Sequence, residues 1–164
     1  MVEVTLQIRA VNRRTYVLRS QSFEGLRVAM DRRDEWGRFD SHVEYDFASG
    51  SGSDTVSAFT VAAAPEILLP EWTLRATADA AHGQAWDAML AVLTAHEENH
   101  FDIFMTWARN LRRSLRRARP IPATEFQARW DRFNADLETA QGRYDRTTNH
   151  GVREGVRLDD PPSR

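Results

Sequence analysis

The N-terminal part of the chain alternates hydrophobic and polar residues with a period of two, which is typical of half-buried strands. Residues 2–8 show this pattern, and residues 42–47 repeat it. Residues 55–61 form a further probable strand, and residues 67–69 form a short one that Pro70 is expected to end. The first part of the chain is therefore predicted to contribute a small sheet.

A short amphipathic segment at residues 23–30 interrupts these strands, and Ser22 stands where a helix cap is expected. From about residue 77 the hydrophobic spacing changes to three and four, which predicts a long helix that Pro120 and Pro122 end. Thr124 is then expected to cap a second long helix.

These patterns divide the chain into three parts. Residues 1–75 are predicted to be mainly strands with one short helix, residues 76–151 to be helical, and residues 152–164 to form a loose tail. The predicted fold class is α+β, with a small N-terminal sheet packed on one long helix and a second, antiparallel helix.

The bulk composition is that of an ordinary globular protein. The 164 residues are enough for a single domain over residues 1–164 with its own core. The net charge of −2 gives no indication of nucleic-acid binding. There is no cysteine, so a metal ion would have to be bound by His, Asp or Glu.

No segment predicts a signal core or a membrane span. We therefore expect the chain as it stands to be cytoplasmic, or secreted or periplasmic if a signal has been removed.

The sequence His-Glu-Glu-Asn-His at residues 96–100 places two histidines four residues apart. On a helix such side chains project from one face, one turn apart, so both imidazoles can bind one zinc ion. Glu97 lies on the flank of that face, where its carboxylate can accept a proton from water on the metal. The motif predicts a Zn²⁺ site with His96 and His100 as ligands and Glu97 as general base.

The position of this motif on its helix strengthens the prediction. At about 100° per residue, His96, Glu97 and His100 fall within the apolar stripe, whereas Glu98 and Asn99 face the other way. Ionisable groups on a buried face are costly unless they are paired or bind a metal ion. The alternative is two core histidines satisfied by neighbouring groups, and we favour the metal because the whole motif faces inward.

A third ligand must come from elsewhere, because Phe104 stands four residues after His100 and the short-range zincin patterns are absent. If the second helix runs antiparallel to the first, each covers about 30 Å and the segment 144–151 returns level with the motif. We predict His150 as the third ligand. Asp145 is the alternative, either as the ligand itself or as a carboxylate that accepts the other N–H of a ligand imidazole.

Three other side chains are candidates of lower rank. Tyr144 could donate a hydrogen bond to a developing oxyanion, although core packing explains it equally well. His42 sits on the polar side of a strand, and His82 lies about four turns before the motif, too far to share the metal.

Three blocks of the sequence carry a resemblance to a known family: Ile-Leu-Leu-Pro-Glu-Trp at 67–72, His-Glu-Glu-Asn-His-Phe-Asp-Ile at 96–103, and Tyr-Asp-Arg-Thr-Thr-Asn-His-Gly at 144–151. They resemble a bacterial family of predicted secreted zinc-dependent proteases (domain of unknown function 922), grouped with the zincin metallopeptidases. The first motif is shared by many zincins, and its pairing with the 144–151 block is more specific.

The resemblance implies a zincin-like fold with His96 and His100 as ligands, Glu97 as general base and the 144–151 block in the site. It also implies a sheet edge that binds an extended peptide. The predicted function is therefore a zinc metalloendopeptidase of the His-Glu-x-x-His type, acting on a peptide or protein substrate.

Two competing functions remain open. A carboxylate-bridged di-iron oxidase would use Glu97 and His100, but it needs a second Glu-x-x-His, which is absent from this sequence. A structural or interaction domain would bind zinc through four protein ligands, for example with Asp145 and His150 together, and would not hydrolyse peptides.

Overall fold

The computed structural model of the protein describes residues 1–50 and 52–161. Within them lie five strands: β1 (Glu3–Ile8), β2 (Asn12–Leu18), β3 (Arg38–Ser49), β4 (Thr55–Trp72) and β5 (Ile121–Pro122). The helices are α1 (Phe23–Asp31), α2 (Ala80–Arg117) and α3 (Ala123–Thr148), with short 3₁₀ turns at Arg75–Thr77 and Val152–Glu154. The run Ser-Gly-Ser-Gly-Ser-Asp at residues 49–54 predicts a turn or flexible loop, and its residue Ser51 lies outside the described residues. Residues 162–164 of the predicted tail also lie outside them.

The predicted α+β class is confirmed, with three helices and one small sheet in the described residues. Strand β4 is the centre of the sheet, because all four other strands pair with it. The pairings with β1 and β2 are parallel, and the short pairing with β5 is antiparallel.

The prediction of two separate strands at 55–61 and 67–69 is wrong, because β4 runs unbroken from Thr55 to Trp72. Both prolines in this stretch are buried, and neither ends the strand. Pro65 falls between the last residue paired with β1, Ala63, and the first paired with β2, Glu66. Its missing N–H therefore lies where these two partner strands make no pair, which is a position that tolerates proline.

The caps of α1 and α2 come from side chains that precede them. Ser22 caps α1 as predicted, because its hydroxyl oxygen accepts a hydrogen bond from the Gly25 N–H at 3.1 Å. Asp79 performs the same role for α2, accepting from the N–H groups of Ala81 and His82. Helix α3 begins at Ala123, one residue before the predicted cap.

The chain divides into two compact units, each made of three segments. The first contains residues 1–11, 41–65 and 100–143. Its core is aromatic: the rings of Phe59 and Phe126 are 4.7 Å apart, and those of Trp107 and Trp130 are 5.8 Å apart. Trp107 also donates its indole N–H to the Phe133 carbonyl, so its polar edge is satisfied inside the core.

The second unit contains residues 12–40, 66–99 and 144–164. Its core cluster combines residues from all three segments: Leu18, Phe23, Leu26, Met30, Trp72, Trp86, Met89, Leu93, Val156 and Leu158. The loose tail expected from residue 152 differs here, because Val156 and Leu158 are buried in this cluster and Val152–Glu154 forms a 3₁₀ turn. Burying two apolar side chains fixes the segment as far as residue 158.

None of the helices in the described residues is long and apolar enough to cross a membrane.

Candidate metal centre

Three polar residues of α2 that lie within about one helical turn of each other are buried. His96, Glu97 and His100 have only 4%, 4% and 8% of their surface exposed. They share the inward face of the helix with Leu93 and Phe104, which are also buried. The sequence prediction that the motif faces inward is therefore confirmed.

Asp145, on the last turns of α3, completes a compact set of donors. One ligand atom from each of His96, His100 and Asp145 lies within 4.8 Å of the other two. His96 Nε2 faces the Asp145 carboxylate, at 3.5 Å from Oδ1. Two imidazoles and a carboxylate at this separation match the donor set of zinc sites, so the residues fit a metal ion. Asp145, the alternative third ligand, thus lies where a ligand is needed.

His150, predicted as the third ligand, lies at the edge of this group. Its Nδ1 is 4.0 Å from Asp145 Oδ1, and its side chain is 66% exposed. Its backbone is left-handed (φ 51°), as is that of Asn149 before it (φ 52°). Two consecutive non-glycine residues in this region are uncommon and cost energy. The backbone thus turns sharply immediately after α3, and His150 is not one of the three clustered donors.

The Nδ1 atom of His96 forms a hydrogen bond with a residue that the sequence analysis did not single out. Its Nδ1–H donates to Glu154 Oε2 at 2.7 Å. The Tyr144 ring stacks on the imidazole, with centroids 4.9 Å apart, and its hydroxyl donates to Glu154 Oε1 at 2.8 Å. Asn99 in turn donates to the Tyr144 hydroxyl oxygen at 2.8 Å. Tyr144, predicted as an oxyanion donor, therefore directs its hydroxyl proton to Glu154.

The Nδ1 atom of His100 forms a hydrogen bond with a different residue. Its Nδ1–H donates to Gln141 Oε1 at 2.5 Å, and the same side-chain amide donates back to the His100 carbonyl at 3.0 Å. Gln141 thus holds both the ring and the backbone of one residue. In both histidines an oxygen acceptor at Nδ1 favours the tautomer with its proton there, and in that tautomer Nε2 carries the lone pair that a metal ion would bind.

Glu97 is packed against the chain that leads into β3. A Cβ added to Gly37 would come within 2.6 Å of Glu97 Oε1 and 2.9 Å of Leu93 Cδ1, so a larger residue there would displace these side chains. The backbone of Phe39 hydrogen-bonds the carboxylate. Burial, reinforced by the charges of Glu35 and Asp145, raises the pKa of Glu97 to about 8. Burial likewise raises the pKa of Tyr144 to about 12.

The two other histidines weighed from the sequence lie outside the clustered group. His42 is exposed on β3 and hydrogen-bonds its neighbour Glu44 at 3.0 Å. His82 hydrogen-bonds Asp79 at 2.5 Å and packs its ring on Phe23, with centroids 4.5 Å apart. Their local partners account for both side chains.

Sequence reasoning missed Glu154, Gln141 and Gly37. A usable signal existed for Gln141, because it stands three and four residues before Tyr144 and Asp145 and therefore shares their helix face. Glu154 lies in a 3₁₀ turn of three residues and Gly37 in an irregular segment, and neither is long enough for a periodic pattern to indicate which way a side chain points.

Comparison with known proteins gives one match, a family model over residues 13–151. The chain belongs to this family. It is described as a bacterial protein of unknown function, DUF922. The matched region of this DUF922 member contains the three clustered donors and ends three residues before Glu154. No curated protein and no solved structure matches the chain.

Proposed function

We propose that this DUF922 member is a zinc metallopeptidase in which His96, His100 and Asp145 bind the metal ion and Glu97 is the general base. The observation that carries the proposal is the convergence of these three donors within 4.8 Å beside a buried glutamate. A bound zinc ion would supply a Lewis acid that polarises a peptide carbonyl and lowers the pKa of water.

Hydrogen bonds to the histidines support a fixed orientation of their imidazole rings. Gln141 holds His100 by its Nδ1–H and its backbone carbonyl, so the ring has little freedom to turn. Ligands held in this way are pre-organised, and less conformational entropy is lost when the ion binds.

Glu97 is suited to proton transfer by its position. The Phe39 backbone and the close approach of Gly37 fix the orientation of its carboxylate. Glu97 would act in its ionised form, which the positive charge of a bound ion favours over the protonated form of the metal-free chain. In the proposed reaction a Glu97 oxygen takes a proton from the attacking water and then delivers it to the leaving amide nitrogen. A well-placed general base and acid of this kind contributes about 10²–10⁴-fold to a rate.

The contacts favour a supporting role for Tyr144 over the predicted catalytic one. Its hydroxyl donates to Glu154 and accepts from Asn99. The hydroxyl proton is therefore engaged by the same carboxylate that accepts from His96 Nδ1. An oxyanion donor would instead have to point its proton at the substrate.

We further propose that the fold is zincin-like, with the second long helix antiparallel to the active-site helix. Contacts within the first unit support the antiparallel orientation. Going from His100 to Trp107 along α2, the contacted residue of α3 moves backwards in sequence from Gln141 to Phe133. The substrate would be a peptide or protein in extended form.

The number of donors favours hydrolysis over a purely structural zinc. Among the described residues the group consists of three side chains, which is the count found in catalytic sites that keep a coordination position open. A structural site would need a fourth protein ligand, and His150 is a candidate because its Nδ1 lies 4.0 Å from Asp145 Oδ1.

The test compares Glu97→Gln with Asp102→Asn, which alters an exposed carboxylate on the same helix. Each variant and the parent protein are loaded with zinc and incubated with a mixed peptide library. We expect cleavage by the parent and by Asp102→Asn, a loss of about 10²–10⁴-fold in Glu97→Gln, and one zinc per chain in all three. Full cleavage by Glu97→Gln, cleavage that survives chelation, or two irons per chain would overturn the proposal.

A further inference from the structure

We propose that Glu154, which lies beyond the region matched by the family model, is a positioning residue for the metal ligand His96. The inference rests on the proposed function, because it assigns a role within the same metal centre. It extends that centre to a segment that the family match, ending at residue 151, does not include.

The contact between Glu154 and His96 is short and specific. Glu154 Oε2 accepts the Nδ1–H of His96 at 2.7 Å, whereas Nε2 of the same ring faces Asp145. A carboxylate on Nδ1 favours the tautomer that carries its proton there, which leaves the Nε2 lone pair for the metal ion. It also makes the imidazole a stronger donor, because partial negative charge is passed to the ring.

Glu154 is itself held in place by a second hydrogen bond. Its other oxygen, Oε1, accepts from the Tyr144 hydroxyl, and the Tyr144 oxygen accepts from Asn99. The Tyr144 ring covers one face of the His96 imidazole. The chain of contacts therefore begins on α2 at Asn99 and returns to α2 at His96, one turn away. Such a closed arrangement restricts both the carboxylate and the ring.

The backbone that carries Glu154 is anchored on both sides. Gly151 is left-handed (φ 82°), and a Cβ there would lie 2.6 Å from Val156 Cγ2 and 3.3 Å from His96 Cγ. The Gly151 carbonyl accepts from the N–H groups of Glu154 and Val156 at 2.9 and 3.0 Å. Val156 and Leu158 are buried in the core of the second unit. The position of Glu154 is thus determined by packing and backbone hydrogen bonds as well as by its own side chain.

The experiment measures zinc affinity, by competition with a chelator, in Glu154→Ala and Glu154→Gln. Asp159→Asn is the matched control, since it removes an exposed carboxylate from the same segment. We expect Glu154→Ala to weaken zinc binding about 10–100-fold, as loss of such a partner does in other metal sites. Glu154→Gln should lose less, because an amide oxygen still accepts the Nδ1–H. Asp159→Asn should bind zinc as the parent protein does.

A second readout separates positioning from simple stabilisation of the segment. In the metal-free protein at alkaline pH, nitrogen-15 NMR reports which ring nitrogen of His96 carries the proton. We expect Nδ1–H in the parent protein and in Glu154→Gln, and a shift towards Nε2–H in Glu154→Ala. Val156→Ala, which weakens only the packing of the segment, should retain Nδ1–H.

The inference is overturned if Glu154→Ala binds zinc as tightly as Asp159→Asn, or if His96 keeps Nδ1–H without Glu154. Its failure is distinguishable from that of the proposed function. A Glu154-dependent tautomer and zinc affinity in a protein that cleaves no peptide would support the positioning role and contradict the peptidase. If the parent protein binds no zinc, the tautomer in the metal-free chain still decides whether Glu154 positions His96.

Discussion

Two stretches of α2 each bury one face of the helix, but the buried side chains are apolar in one stretch and ionisable in the other. Over residues 104–115 the buried side chains are apolar: Phe104, Trp107, Ala108, Leu111 and Leu115. Over residues 96–100 the buried positions are His96, Glu97 and His100. The two stretches lie on one unbroken helix with one hydrophobic period, so helix formation cannot account for the difference.

The two stretches differ in how their burial affects the free energy of folding. Burying apolar surface stabilises the fold by about 25 cal/mol per Å². Burying three ionisable side chains opposes folding unless each finds a partner. In the polar stretch those partners are present and come from distant parts of the sequence: Glu154 for His96, Gln141 for His100 and the Phe39 backbone for Glu97. Such an arrangement is expected for a site that binds an ion.

Truncating the apolar stretch should give the largest effect on stability. Leu111→Ala removes a fully buried side chain, and we expect the free energy of unfolding to fall by about 2–5 kcal/mol. Urea denaturation measures this change, with exposed Arg112→Ala as the control. Zinc affinity of the folded protein should stay unchanged. If Leu111→Ala weakens zinc binding as strongly as loss of a ligand, the two stretches are not independent.

Changing the third donor should give the next largest effect, on metal binding alone. Asp145 belongs to the clustered group and His150 does not, so Asp145→Asn should weaken zinc binding by more than about 100-fold. We expect less than about threefold from His150→Ala, because its side chain is exposed. Chelator competition decides between them. The reverse order of affinities would make His150 the ligand and Asp145 its partner.

Ionisation of Glu97 should give a change in stability that appears gradually with pH and only in the metal-free protein. Its folded pKa of about 8 lies above the ordinary value of 4.5, so the folded chain keeps a proton that the unfolded chain releases. The free energy of unfolding should therefore fall as pH rises between these values, with a slope of at most about 1.4 kcal/mol per pH unit.

Urea denaturation at pH 5, 7 and 9 with chelator present measures this slope. Glu97→Gln should flatten it relative to Asp102→Asn, because the amide does not ionise. An equal slope in the two variants would show that Glu97 does not titrate differently in the folded and unfolded chains.

The features that the sequence predicted well are those with a local or periodic cause. Ser22 caps α1 because its hydroxyl reaches a backbone N–H three residues on. The inward direction of His96, Glu97 and His100 follows from the helix period alone. The sequence predicts Asp145 only as the alternative to His150 as third ligand, and its carboxylate lies within 4.8 Å of donor atoms of both His96 and His100.

The features that the sequence did not predict depend on tertiary placement. Pro70 is expected to end a strand at residues 67–69, but β4 continues through it to Trp72. Pro65 is tolerated within β4 because its missing N–H lies between the residues paired with β1 and those paired with β2. Glu154 lies after a left-handed glycine, in a segment expected to be loose. The burial of Val156 and Leu158 and the backbone hydrogen bonds to Gly151 place this segment beside His96, and such contacts have no periodic signature in so short a segment.

The proposed role of the buried polar stretch of α2 is to bind a metal ion. Calorimetric titration of the metal-free protein with zinc, in the parent chain and in His100→Ala, measures this binding. We expect one tightly bound zinc ion per chain in the parent and affinity reduced by more than about 100-fold in the variant. Absence of saturable binding in a folded parent chain, or equal affinity in His100→Ala, would contradict it.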